Sequence, residues 1–136
     1  MTIQDLIDLI GAMEGVLVLQ PQPGDGSPEI AWGDVFFYYA PDGVVPKTQP
    51  FATIITKDYP GDDACRLDRP GAFRLNIATR APAAREPRDD TVIVHPVYGR
   101  QGWVAIVNPG PATAATAVEL LCAAHQRASS RRKSPH

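Results

Sequence analysis

The chain has 136 residues, 44% of them hydrophobic and 21% charged, which is the make-up of one ordinary globular domain. A chain of this length buries enough surface to fold without a disulfide or a structural metal. No apolar run approaches the roughly 20 residues of a membrane helix. Asp5 and Asp8 interrupt the N-terminus, no export signal is read there, and the expected location is cytoplasmic.

Thirteen basic and fifteen acidic residues give a net charge of −2. Four of the basic ones, Arg127, Arg131, Arg132 and Lys133, fall in the last ten residues, and setting them aside leaves nine basic against fifteen acidic residues, a net −6. Duplex binding draws on a dense basic face, so nucleic acid is the least favoured partner. The expected organisation is a single domain over 1–126 and a solvated basic tail over 127–136. Two cysteines stand far apart, with no cluster of metal-ligating residues around either, and neither a metal nor a cofactor is expected. Cys122 falls on a helical apolar stripe and Cys65 in a turn-rich, exposed loop.

The first element is a helix. Thr2 and Asp5 have capping-box spacing, Ile3, Leu6, Ile7, Ile10 and Met13 share a face, and Gly15 closes it. Val16 to Leu19 reads as a strand and the Pro- and Gly-rich stretch 20–28 as a loop. Glu29–Trp32, Val35–Tyr39 and Phe51–Thr56 read as strands, separated by Gly33-Asp34 and Pro41-Asp42-Gly43. Phe73-Arg74-Leu75-Asn76-Ile77 alternates apolar and polar, as a strand between two different environments does. Residues 80–91 have no periodicity and read as an exposed, mobile loop. Val92–Val94 and Trp103–Val107 are the last strands, and a helix with Ala114, Ala117, Val118, Leu121, Cys122 and His125 on one stripe closes the chain.

Helix, strands joined by turns, then helix is an α+β pattern, in which an antiparallel sheet of about five or six strands carries both helices on one face. The opposite face is then uncovered. It is expected to show Arg74 and Asn76 and, if the parities agree, Trp32, Asp34, Phe36 and Tyr38.

Several blocks in order resemble the DUF6194 family of small uncharacterised actinobacterial proteins: Pro28-Glu29-Ile30-Ala31-Trp32-Gly33-Asp34, Phe36-Phe37-Tyr38-Tyr39, Thr56-Lys57-Asp58-Tyr59-Pro60-Gly61, Leu67-Asp68-Arg69-Pro70-Gly71 and His95-Pro96-Val97-Tyr98 with Gln101-Gly102-Trp103. The segment between Ile77 and His95 is shorter than the family's. The resemblance implies no activity. The second half is more distantly similar to the MmcQ/YjbR-like proteins, which implies a compact α+β fold and leaves function open.

No nucleophile elbow, phosphate-cradling glycine loop or metal-ligand spacing is present. The candidate residues are therefore scattered polar groups. His95, at a strand end before Pro96, is either an acid–base residue near neutral pH or a ring that hydrogen-bonds its loop. Asp34, set in an aromatic stretch, serves either a turn or a site. Lys57 is either an anion contact or base, or a surface ion-pair partner. These three are the catalytic candidates. Arg74 and Asn76, with Trp32, Tyr38, Tyr98 and Trp103 as walls, are the substrate-binding candidates. The leading expectation is a small-molecule-binding protein or a metal- and cofactor-independent enzyme of specialised metabolism. The alternatives are an interaction module that forms a homodimer and, last, a nucleic-acid-binding protein; no membrane partner is expected.

Overall fold

The capping box closes in the computed structural model, which describes residues 1–133. The Thr2 hydroxyl accepts from the Asp5 N–H at 3.0 Å and the Asp5 carboxylate accepts from the Thr2 N–H at 2.9 Å. Helix α1 then spans Ile3–Gly11 and buries Leu6 and Ile10. Gly15 lies beyond the helix end rather than at it. Its φ is +70°, and its backbone turns so close to Tyr39 that an added Cβ would stand 2.7 Å from Cε1 of that ring.

Six strands follow: β1 (Val16–Leu19), β2 (Val35–Tyr39), β3 (Ala52–Ile55), β4 (Arg74–Ile77), β5 (Val92–Val94) and β6 (Val104–Val107). They form one antiparallel sheet in the order β1-β2-β3-β4-β6-β5. Helix α2 covers Ala114–Lys133. Residues Leu6 and Ile10 of α1 and Ala117, Leu121 and Ala124 of α2 join Val35, Phe37, Ile54, Leu75, Ile77, Val104 and Ile106 in one buried cluster. Both helices therefore lie on the same sheet face, each burying its apolar stripe there.

Four expectations are corrected. Glu29–Ala31 is a 3-10 turn rather than a strand, closed by the bond from Trp32 N–H to Glu29 O, and Gly33 at φ +88° separates it from β2. Trp32 therefore does not share the strand parity. The second correction concerns the sheet face away from the helices. The connection between β3 and β4 folds over it, so that Cys65, Leu67 and Ala72 pack with Ile55, Ile93, Ala105 and Val107 in a second core. Arg74 and Asn76 lie beneath it, fully buried. Only the β1–β2 end of that face remains open, where Leu17 stands opposite Tyr38 and Leu19 opposite Phe36. Third, the cysteines exchange roles: Cys65 is buried in the second core and Cys122 is exposed, because the buried stripe of α2 runs through Ala117, Leu121 and Ala124. Fourth, residues 127–133, expected in the basic tail, are the last turns of α2; residues 134–136 lie outside the described residues. The 80–91 stretch is mostly exposed, yet its end is tied down: Asp90 accepts from the backbone N–H groups of Gly110, Ala112 and Thr113.

Candidate functional site

In an antiparallel sheet every second strand terminus comes to the same end, and this divides the candidate residues into two groups. Val35 at the start of β2 and Thr56 just after β3 meet at one end. There the Asp34 carboxylate, fully enclosed, accepts from the Thr56 N–H and hydroxyl, both at 2.8 Å, and from the Lys57 ammonium at 3.0 Å. The Tyr59 hydroxyl donates to its second oxygen. Lys57 also donates to the Trp32 carbonyl at 2.8 Å. Burial and the bond to Asp34 push the Tyr59 phenol well above its ordinary range. A carboxylate with four donors and no access to solvent acts as a clamp on the chain entering the 57–72 connection.

Arg74 begins at that same end, but its side chain runs along the covered face. Nε donates to Asn76 Oδ1 at 2.8 Å, and the two terminal nitrogens grip Asp62 at 2.9 and 2.6 Å. Cys65 Sγ lies 3.4 Å from Nη1. Burial disfavours the guanidinium charge, but the bonds to Asp62 and Cys65 outweigh it and raise the Arg74 pKa. Asn76 in turn donates to the Thr53 hydroxyl at 2.9 Å. This network holds the 57–72 connection onto the sheet, and Arg74 has its bonding capacity spent inside the protein.

His95 follows β5 at the opposite end. Its Nδ1 accepts from the backbone N–H groups of Val97 and Tyr98, both at 3.0 Å. The ring proton of the neutral form therefore belongs on Nε2, which faces Arg74 Nη2 at 3.4 Å. Burial first, and the Arg74 charge second, lower the His95 pKa to about 4, with Asp62 opposing. The ring is thus neutral at pH 7 and caps its own turn, which is the second of the two readings its sequence allowed. Its neighbours are the rings of Tyr98 and Trp103, with centroids 5.1 and 6.3 Å away. Tyr38 is on neither site; it lies half-buried on the open β1–β2 surface.

Trp103 is the one candidate that also borders a sizeable cavity. At the His95 end of the sheet lie the end of β2 (Tyr39), the start of β3 (Phe51), the end of β4 (Ala78) and the start of β6 (Trp103), and these surround a cleft of about 550 Å³. Gly102, at φ +87°, turns the chain so that Trp103 enters it. The wall opposite the strand ends belongs to α2, where Ala124, Arg127, Ala128 and Arg131 recur at helical spacing. The β2–β3 connection adds Lys47 on a third side. None of Lys47, Phe51, Arg127 and Arg131 stood among the sequence candidates. The one available sign was the cluster of arginines continuing the α2 period past residue 126; a cleft built from four strand ends leaves no local motif. A second cleft, of about 280 Å³, lies by Cys65 and Arg69, beside the Arg69–Asp89 ion pair.

Among the described residues no group of three or more His, Cys, Asp or Glu side chains is arranged to hold a metal ion, and no helix is long and apolar enough to cross a membrane. No curated protein and no solved structure matches the chain, so the expected likeness to the MmcQ/YjbR-like proteins finds no support. The model of the family of unknown function DUF6194 matches residues 1–136, the whole chain, and the protein belongs to that family.

Proposed function

We propose that this protein binds a small organic molecule in the cleft between the strand ends and the last turns of α2. The observation that carries the reading is the cleft itself. Its volume, about 550 Å³, is in the range of pockets that enclose drug-sized ligands, and aromatic rings with a few polar groups line it as they line such pockets. The interior polar groups are weaker candidates, because each is already satisfied inside the protein: Asp34 by Thr56, Lys57 and Tyr59, Arg74 by Asp62 and Asn76, and His95 by the backbone of its own turn. No acid–base step through His95 is part of the proposal: the Nδ1 lone pair holds the 96–98 turn, and Nε2 faces a guanidinium.

The test is a thermal-shift screen of the full chain against a metabolite library, with each hit followed by the emission of Trp103 in a Trp32→Phe background. A specific ligand raises the melting temperature as ln(1 + [L]/Kd) and changes the Trp103 spectrum. A library without a hit, or hits that leave Trp103 unchanged, would remove the cleft as the site. A second reading, self-association, is favoured by the half-buried Leu17, Phe36 and Tyr38 beside the exposed Leu19 on the two outermost strands at the β1 end. Sedimentation of wild type and Leu19→Lys separates it: a dimer lost in the variant supports it, and a monomer at all concentrations rejects it.

A further inference from the structure

The cleft also carries information about the charge of its ligand. Four cationic side chains line it, Lys47, Arg127, Arg131 and Arg132, and no acidic residue does. This is in a chain whose net charge is −2. Only Arg132 is neutralised, by Asp42 at 3.0 Å. Arg127 has a single long bond to the Ala78 carbonyl at 3.5 Å. Lys47 and Arg131 have no hydrogen-bond or ion-pair partner among the described residues. Arginines in the last turns of a helix are partly explained by the helix dipole. That account does not reach Lys47, which approaches from the β2–β3 connection on another wall.

The floor between these cations is apolar: Tyr39, Phe51 and Trp103 from the strand ends, Ala124 and Ala128 from the helix. Like charges converging on one opening repel each other unless an anion joins them, and a guanidinium is well suited to a phosphate, sulfate or carboxylate oxygen pair. We infer that the ligand of this cleft is an amphipathic organic anion, with a flat apolar body against Tyr39, Phe51 and Trp103 and an anionic head between Lys47, Arg127 and Arg131. The inference rests on the proposed binding role of the cleft and names its ligand class.

Calorimetric titration of the full chain with 1-naphthyl phosphate, 1-naphthoate, 1-naphthol, inorganic phosphate and a dT12 oligonucleotide tests it. The two naphthyl anions are expected to bind, and their ranking tells a phosphate head from a carboxylate. The Lys47→Glu/Arg131→Glu variant is expected to weaken both by roughly tenfold or more, with 1-naphthol changed by no more than about twofold. Lys47→Met/Arg131→Met, which removes the charges without reversing them, should lie between. Both positions are exposed, so an unchanged melting temperature verifies that the variants fold. Equal affinity for 1-naphthol and 1-naphthyl phosphate, or indifference to charge reversal, overturns the anionic head and leaves the cleft reading intact. Inorganic phosphate binding as tightly as 1-naphthyl phosphate overturns the apolar body. Tighter binding of dT12 than of any naphthyl probe replaces the inference with a nucleic-acid site. Failure of both naphthyl anions to bind overturns the anion inference, while the cleft reading stands or falls separately with the library screen and the Trp103 emission.

Discussion

Protonating His95 should destabilise the fold well above the pH at which most carboxylates titrate. In the native ring, burial and the nearby Arg74 hold the pKa near 4, against an ordinary histidine value of 6.5. The unfolded chain therefore takes up a proton that the native chain refuses. The sign follows: stability is full above pH 6.5, falls as the pH drops towards 4, and falls no further from this group once both states are protonated. The maximum slope is one proton, about 1.4 kcal/mol per pH unit, which amounts to about 2 kcal/mol by pH 5 and about 3 kcal/mol in all. The assay is urea unfolding between pH 8 and pH 5 for wild type and His95→Asn. An asparagine carbonyl can still accept from the Val97 and Tyr98 N–H groups, so the variant loses the titration while retaining an acceptor for the turn. Other groups titrate alike in both proteins and cancel in the difference. Wild type is expected to lose about 2 kcal/mol more than the variant over this interval. Parallel curves for the two proteins, or a His95 ring that titrates near 6.5 by NMR, would refute the reasoning.

Asp62→Ala leaves the Arg74 guanidinium, whose side chain is 1% exposed, without its bidentate partner; breaking such a pair costs about 3–5 kcal/mol. Urea unfolding should show that loss, limited proteolysis should find new cuts within 57–72, and a loss below about 1 kcal/mol would show that the pair does not hold the connection. Gly15→Ala and Gly26→Ala form a matched pair. Both glycines have positive φ, +70° and +86°, but only at Gly15 would the new Cβ meet a ring, whereas nothing lies within 4 Å at Gly26. Each should lose about 1–2 kcal/mol from the left-handed backbone, and Gly15→Ala more because Tyr39 must move. Equal melting temperatures for the two variants would show that the Tyr39 approach carries no cost.

Short-range regularities of the sequence determined the elements of this protein. The Thr2–Asp5 spacing starts α1, the alternation at Phe73–Ile77 makes β4, and the turn clusters divide the remaining strands, so the α+β sheet with two helices follows from local physics. The same alternation says that two strand faces differ, not which of them is covered. Arg74 and Asn76 read as an outward row, yet Asp62 and Cys65, brought in by a connection with no period of its own, bury them. The cysteines exchanged places for a related reason: helical spacing alone cannot say which of two adjacent small-residue stripes on α2 meets the sheet. Strand order, which no local pattern gives, decides where the catalytic candidates stand: antiparallel pairing carries Asp34 and Lys57 to one end of the sheet and His95 to the other. The cleft lined by Tyr39, Phe51, Trp103 and the α2 arginines joins side chains up to 93 positions apart, from Tyr39 to Arg132. Only the packing of α2 over four strand ends brings them to one opening, so that site belongs to the tertiary structure alone.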